Sequence, residues 1–293
     1  METASSVHTR KDPSSGSRLR DPARSVLSEG SGEPVVLLHG VTGSSKMWRR
    51  VVPLLAARHR VLVPTALGHL GGAVPSQRPT RIEHVIDDAE RTLDELGLER
   101  AHLAGNSMGG WVALELAGRG RALSVCALSP AGAWEPGERG HASKLLARTI
   151  VDARRGRLLL PLLAQFGWFR RWALRDNAVH GDQVAPSELM DLVDDLLGCE
   201  VAHDLLATDE QLRALTTSCP VTLAWSESDR LFPVAVNGAR ARALVPDARF
   251  LVLPDVGHVP MLDNPQLVAD TILQTIELAR TAPSATVGAR EAL

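Results

Sequence analysis

Residues 104–110 read Ala104-Gly105-Asn106-Ser107-Met108-Gly109-Gly110. They follow Ala101-His102-Leu103, which reads as the end of a buried strand. They precede Trp111-Val112-Ala113-Leu114-Glu115-Leu116-Ala117, which reads as a helix. A Gly-x-Ser-x-Gly between a strand and a helix is the pattern of a nucleophile elbow, in which the chain turns sharply and holds the serine hydroxyl outward. Glycines flank the serine because a side chain at either position would collide across the turn. The helix that follows aims its free N–H groups at the site, where they favour negative charge developing on a carbonyl oxygen. The plainer alternative is a glycine-rich corner with no chemistry, and the rest of the chain decides between the two.

Upstream, Val35-Val36-Leu37-Leu38 is a continuous apolar run, as expected of a strand buried on both faces. It ends in the glycine-rich loop His39-Gly40-Val41-Thr42-Gly43-Ser44-Ser45. A helix is expected over 47–57, with Ser44 or Ser45 as its cap, and a strand within 60–64. Ile82, Val85, Ile86, Ala89, Leu93 and Leu96 form a helical stripe that Gly97 ends. Downstream of the elbow, 124–128, 221–225 and 250–253 read as further strands. Helices are expected over 233–244 and over 265–280, the latter with Asn264 as N-cap and Pro265 in the first turn. Short apolar strands alternating with amphipathic helices define an α/β class with a mostly parallel central sheet flanked by helices.

Between 133 and 218 strands vanish, and helical segments are expected over 142–153, 157–175, 187–197 and 200–214. Trp134, Phe166, Trp168, Phe169 and Trp172 lie there, half of all Trp and Phe in the chain. Because strand rhythm resumes afterwards, the stretch reads as a helical cap inserted into the α/β core. Trp134, Phe166, Trp168 and Phe169 are then candidates to line an apolar substrate pocket. The expected organisation is a disordered tail over 1–24, core over 25–132, cap over 133–218, core over 219–280 and a second tail over 281–293.

A serine hydroxyl needs a general base, and the base needs an acid to fix its tautomer. Asp255-Val256-Gly257-His258-Val259-Pro260 places a histidine after the last strand. Ser226-Glu227-Ser228-Asp229-Arg230 places an aspartate after the strand before it. Loops at the carboxyl ends of parallel strands share one rim, so Ser107, Asp229 and His258 are expected to converge there as nucleophile, orienting acid and base. Asp255 is expected to support the loop, and Glu227 is a neighbouring alternative acid. The N–H of Met108, next to the serine, and that of Val41, in the loop after His39-Gly40, are the candidate oxyanion donors. His39 is expected to order that loop rather than to do chemistry.

Composition narrows the class further. The 293 residues carry a formal charge of −2, which does not suggest a nucleic-acid partner. Arginines are spread along the chain, and the local clusters at 154–157 and 170–171 read as solvated helix surface. Cys126, Cys199 and Cys219 form neither a zinc spacing nor a disulfide framework, and a reducing cytoplasm is the natural compartment. The eight histidines other than His39 and His258 lack metal-ligand spacing, so neither a metal nor a cofactor is expected. No apolar run is long enough to span a membrane. The expected partner is a small-molecule substrate.

Together, His39-Gly40, Gly105-Asn106-Ser107-Met108-Gly109-Gly110, Ser228-Asp229 and Gly257-His258 resemble the α/β-hydrolase fold family over 34–279. The resemblance implies a serine hydrolase, with carboxylic ester cleavage through an acyl-enzyme foremost. Lactonases, perhydrolases and carbon–carbon bond hydrolases share the same triad, and a ligand sensor on the same fold is a further alternative. Two departures bear on these. Thr65 stands where members often carry an aspartate, and Val259 follows His258 where the carbon–carbon bond hydrolases tend to place an aromatic. Epoxide hydrolases and haloalkane dehalogenases of this family use an aspartate nucleophile, against which Ser107 argues. The first hairpin of the fold is expected to be abbreviated, with only 25–28 able to supply a strand.

Overall fold

The structure, a computed structural model, describes residues 26–135, 140–207 and 209–281. The segment 1–24 and residues 282–293, expected as tails, lie outside the described residues.

Seven strands form one sheet: β1 (Leu27–Glu29), β2 (Pro34–Leu38), β3 (Arg60–Val63), β4 (Ala101–Asn106), β5 (Ala122–Leu128), β6 (Val221–Ser226) and β7 (Arg249–Leu253). Their spatial order is β1-β3-β2-β4-β5-β6-β7. All pairings are parallel except β1 with β3, where Leu27 lies opposite Val63. The short β1 is the abbreviated strand expected near 25–28. The chain leaves β2 toward one edge of the sheet and returns to the other side at β4. The loops after β2 and β4 therefore part at a topological switch point, where open α/β sheets bind ligands.

Helices cover both faces. On one lie α1 (Val52–Ala56) and α11 (Pro265–Thr281); on the other lie α2 (Ile82–Glu95), α3 (Met108–Gly118) and α9 (Ala239–Leu244). The strand period of two sorts the core between them: Val35 and Leu37 pack on the first face, Val36 and Leu38 on the second. Leu37, Leu55, Trp48 and Trp225 are fully buried, and burying each such side chain contributes about 1.5–3 kcal/mol. Local signals place the helix ends. Gly97 takes a positive φ of 70°, in the left-handed region, and the Leu98 N–H donates to the Leu93 carbonyl at 2.9 Å. Asn264 Oδ1 accepts from the Leu267 N–H at 3.0 Å, capping α11. That helix runs through Thr281, one residue into the segment expected as tail.

Between β5 and β6 come α4 (Gly140–Gly156), α5 (Leu160–Leu163), α6 (Gly167–Ala173), α7 (Pro186–Gly198) and α8 (Ala202–Ala207). Two expectations are corrected here. The single helix over 157–175 is broken into α5 and α6, with Pro161 in the first turn of α5 and Gly167 at the start of α6. The helix over 200–214 ends at Ala207. The chain that follows instead runs along the core: the Leu212 N–H donates to Gly132 O at 3.1 Å and the Leu215 N–H to Leu244 O at 2.8 Å. The helix expected over 47–57 likewise divides into a 3-10 turn at Ser45–Trp48 and the short α1. A last short helix, α10 (Pro260–Asp263), stands between His258 and α11.

Candidate active site

Ser107 ends β4 and begins α3 with φ 56° and ψ −117°, a conformation that costs a residue with a side chain on the order of 1–3 kcal/mol. Its backbone is pinned on both sides: the N–H donates to Leu128 O at 3.0 Å, and the carbonyl accepts from the Trp111 and Ala131 N–H groups at 3.1 and 2.9 Å. A Cβ at Gly105 would overlap the Gly109 carbonyl, and one at Gly109 would overlap the Leu38 carbonyl. The two glycines thus let three backbone segments touch beneath the serine.

His258 and Asp229 meet at the same rim, with His258 Nδ1 2.7 Å from Asp229 Oδ2 and both side chains buried. The other oxygen, Oδ1, accepts from the N–H groups of Leu231 and Phe232 at 2.9 and 2.8 Å. An ionised carboxylate so placed can only accept, so Nδ1 carries the proton toward it and Nε2 is left with its lone pair. The Phe232 ring stands edge-on to the imidazole at 5.0 Å. Behind it, Asn106 Nδ2 donates to the His258 carbonyl at 2.9 Å, tying the histidine loop to the residue before Ser107.

The loop after β2 is ordered from within. His39 Nδ1 lies 2.8 Å from Gly40 O, and His39 Nε2 accepts from the Ala66 N–H at 3.0 Å. These partners call for the Nδ1–H tautomer of a neutral ring. Burial, with His69 edge-on at 5.0 Å, pushes its pKa down to about 3. Gly43 N–H also donates to Gly40 O, at 3.1 Å. Thr65, in the place of the family's usual aspartate, accepts from the Ser45 N–H at 3.2 Å. Val41 in this loop is half-buried beside Ser107, and Met108 is the first residue of α3, where backbone N–H groups lack an intrahelical acceptor.

Ser107, His258, Val41 and Thr42 open onto a cavity of about 420 Å³ whose other walls come mostly from α4–α7. Its lining is dominated by leucines, with Thr149, Asp152, Arg175, Asp176 and Asn177 as polar exceptions on the helical side. The aromatic expectation is corrected in part. Phe169 does line the cavity, joined by Trp172, whereas Phe166 and Trp168 point outward and are 48% and 66% exposed. Trp134 packs away from the cavity, against Trp111 and Phe232, with its indole N–H donating to Glu210 O at 3.2 Å.

Four carboxylates near the site have structural tasks. Glu227 accepts from the Asp255 N–H at 3.1 Å, and Asp255 in turn faces His180 Nε2 at 2.9 Å, so neither takes the place of Asp229. Asp263 accepts from the Gly257, Val179 and His180 N–H groups at 2.7, 3.0 and 2.7 Å, bracing the His258 loop against the segment before α7. Fully buried Asp195 on α7 accepts from Ser44 Oγ at 2.5 Å. Burial raises its pKa, with Lys46 Nζ 3.8 Å away as partial compensation. Local pattern does not mark Asp263 or Asp195; only their distant partners give them a role.

A fold switch point, a serine on a strained strand–helix turn and a buried His–Asp pair at the same rim describe an α/β hydrolase, and comparison with known proteins agrees. Residues 35–271 match the Alpha/beta hydrolase family, to which the chain belongs. Among its relatives is epoxide hydrolase EphH of Mycobacterium tuberculosis, 34% identical over 201 residues, which cover 66% of this chain and 94% of that protein. Another is carboxylesterase YbfK of Bacillus subtilis, 24% identical over 249 residues, or 82% of this chain and 78% of that one. Among solved structures, a thermophilic esterase from Thermogutta terrifontis superposes with a TM-score of 0.67 at 25% identity, covering 88% of this chain and 94% of that one. No helix among the described residues is long and apolar enough to cross a membrane.

Proposed function

We propose that the protein is a serine hydrolase that cleaves carboxylic esters of small or medium apolar substrates through an acyl-enzyme. Ser107 Oγ attacks the ester carbonyl while His258 Nε2 takes its proton. The tetrahedral oxyanion is held by the N–H groups of Val41 and Met108. Collapse breaks the bond to the alcohol oxygen, which leaves with the proton from His258. Water, deprotonated by the same imidazole, then attacks the acyl-serine. The carboxylic acid departs, and the proton returns to Ser107. Asp229 keeps Nδ1 protonated throughout and stabilises the imidazolium. The helices between β5 and β6 act as a cap that shapes the acyl site.

The observation that carries this reading is the buried 2.7 Å pair of His258 and Asp229 beside a serine held at φ 56°. The apolar substrate class follows from the leucine-rich cavity, whose volume of about 420 Å³ suits a molecule of modest size. The test is labelling by a fluorophosphonate, with the adduct mapped by mass spectrometry. One adduct at Ser107 in the wild type and none in Ser107→Ala is the expected result. Folded wild-type protein that stays unlabelled would refute it.

The likeness to an epoxide hydrolase favours a second reading. Attack of Ser107 on an epoxide carbon would leave an ether, which water at neutral pH does not cleave. Epoxide opening here would need water activated directly by His258. The two readings part on Ser107→Ala: ester turnover is lost in the variant, whereas direct epoxide hydration survives it.

A further inference from the structure

We propose that the outer face of residues 144–175 docks the protein on an anionic lipid surface. Among the described residues, seven of the twelve exposed large apolar side chains lie in this stretch of 32 residues. They include Leu158, Leu159, Leu162, Phe166, Trp168 and Trp172, with Leu158 95% exposed. A face of this kind on a water-soluble fold marks a place of contact. Two tryptophans and a phenylalanine among leucines suit the boundary between headgroups and acyl chains.

Charge selects the partner. The same stretch carries Lys144, Arg148, Arg154, Arg155, Arg157, Arg170, Arg171 and Arg175 against the single acid Asp152. Its formal charge is therefore +7 in a chain whose total is −2. Acids facing it are few and loosely held. Asp152 lies 3.7 Å from Arg148, Asp194 3.9 Å from Arg157, Asp182 3.8 Å from Arg171 and Asp176 3.8 Å from Arg175. A second copy of the chain is disfavoured, since a twofold contact through this face would set two strongly positive stretches against each other. An anionic bilayer satisfies both features at once: headgroups for the outward arginines, Arg170 being turned onto the carbonyls of Ala164, Gln165 and Asp182, and acyl chains for the exposed side chains.

The face is continuous with the cavity. Leu159 and Trp172 are exposed on it and also line the cavity. Trp168 touches buried Phe169 edge-on at 5.9 Å, and Phe169 reaches Trp172 at 5.6 Å. Docking would bring the cavity's outer wall against the lipid, where apolar esters dissolve.

The test uses the full chain and co-sedimentation with vesicles of phosphatidylglycerol and phosphatidylcholine, or of phosphatidylcholine alone. Binding to the first, weakened by salt, and little binding to the second is expected. Arg154→Glu/Arg155→Glu/Arg171→Glu should lower partitioning at least about 100-fold, since each basic side chain near an anionic surface contributes about a factor of five. Leu158→Gln/Leu162→Gln/Trp168→Gln should abolish the association that persists at high salt. None of these six positions lines the cavity, and circular dichroism checks that both variants fold. Three results would overturn the proposal: no vesicle binding by the wild type, binding unchanged in both variants, or self-association through this face seen by light scattering without lipid binding. Retention on immobilised polyglutamate without vesicle binding would instead indicate an acidic polypeptide partner.

Discussion

The rim of the sheet and the helices between β5 and β6 enclose one cavity but are built in opposite ways. At the rim, Ser107, Asp229 and His258 are buried, and short backbone hydrogen bonds surround each of them. Position there is set by main-chain geometry: a positive φ, a carboxylate pinned by two N–H groups, a carbonyl tied to Asn106. Across the cavity the described walls are mostly leucines and a few aromatics, and the outer face leaves large apolar side chains in water. The rim leaves little freedom to its groups, as bond-making chemistry requires. In the proposed hydrolase the helices supply volume and surface, which suit the task of admitting and shaping a substrate.

The contrast is sharpest at Asp229. In Asp229→Asn the Leu231 and Phe232 N–H groups still demand an acceptor, so the amide oxygen stays with them. That turns the NH₂ toward His258 Nδ1 and forces the proton onto Nε2, where the base should be. Turnover of an activated ester should fall by about 10⁴-fold with little change in fold. A loss of only a few-fold would mean that the rim tolerates rearrangement, and the contrast would fail.

The next largest effect is on acid stability. His39 has its pKa lowered to about 3 by burial and His69, and His69 is itself lowered to about 4 by burial. The unfolded chain takes up these protons near the ordinary histidine value of 6.5, while the folded rim refuses them. Their contribution is therefore complete above 6.5 and lost as pH falls toward the folded values. For His39 alone the loss by pH 4 is on the order of 3 kcal/mol. In urea unfolding across this range, His39→Gln should keep more of its neutral-pH stability than the wild type does. Equal slopes would mean that the imidazole titrates freely and does not hold the loop.

What was legible in the sequence follows the same division. The switch-point loops, the elbow and the acid and histidine behind β6 and β7 are local patterns, because glycine spacing and strand ends act over a few residues. In the structure His258 Nδ1 lies 2.7 Å from Asp229 Oδ2, and Ser107 and His258 line the same cavity. The helices between β5 and β6 were legible as helical, but not in their breaks or facing. Pro161 and Gly167 are visible as interruptions, yet nothing local says that Phe169 and Trp172 turn inward while Phe166 and Trp168 turn out. That choice is made by what the rest of the chain packs beneath them. The contact of Ser44 with Asp195 spans 151 residues of sequence, and no periodicity reports it.

Asp195 is where the two regions join, and it gives the smallest effect. Burial raises its pKa, so the fold favours its protonated form. Its stabilising share is present below the usual aspartate range and disappears as pH rises through the elevated folded value. Asp195→Asn keeps an acceptor for Ser44 Oγ and removes the buried charge, while Lys46 retains Asp191 at 3.0 Å. Thermal unfolding near neutral pH should rise by about 2–4 °C, as expected for about 1 kcal/mol in a domain of this size, and the gain should shrink in acid. A lower melting temperature at every pH would mean that attraction to Lys46 outweighs the cost of burial. The helices would then be fastened to the rim by charge, and α7 would belong with the rigid half of the site.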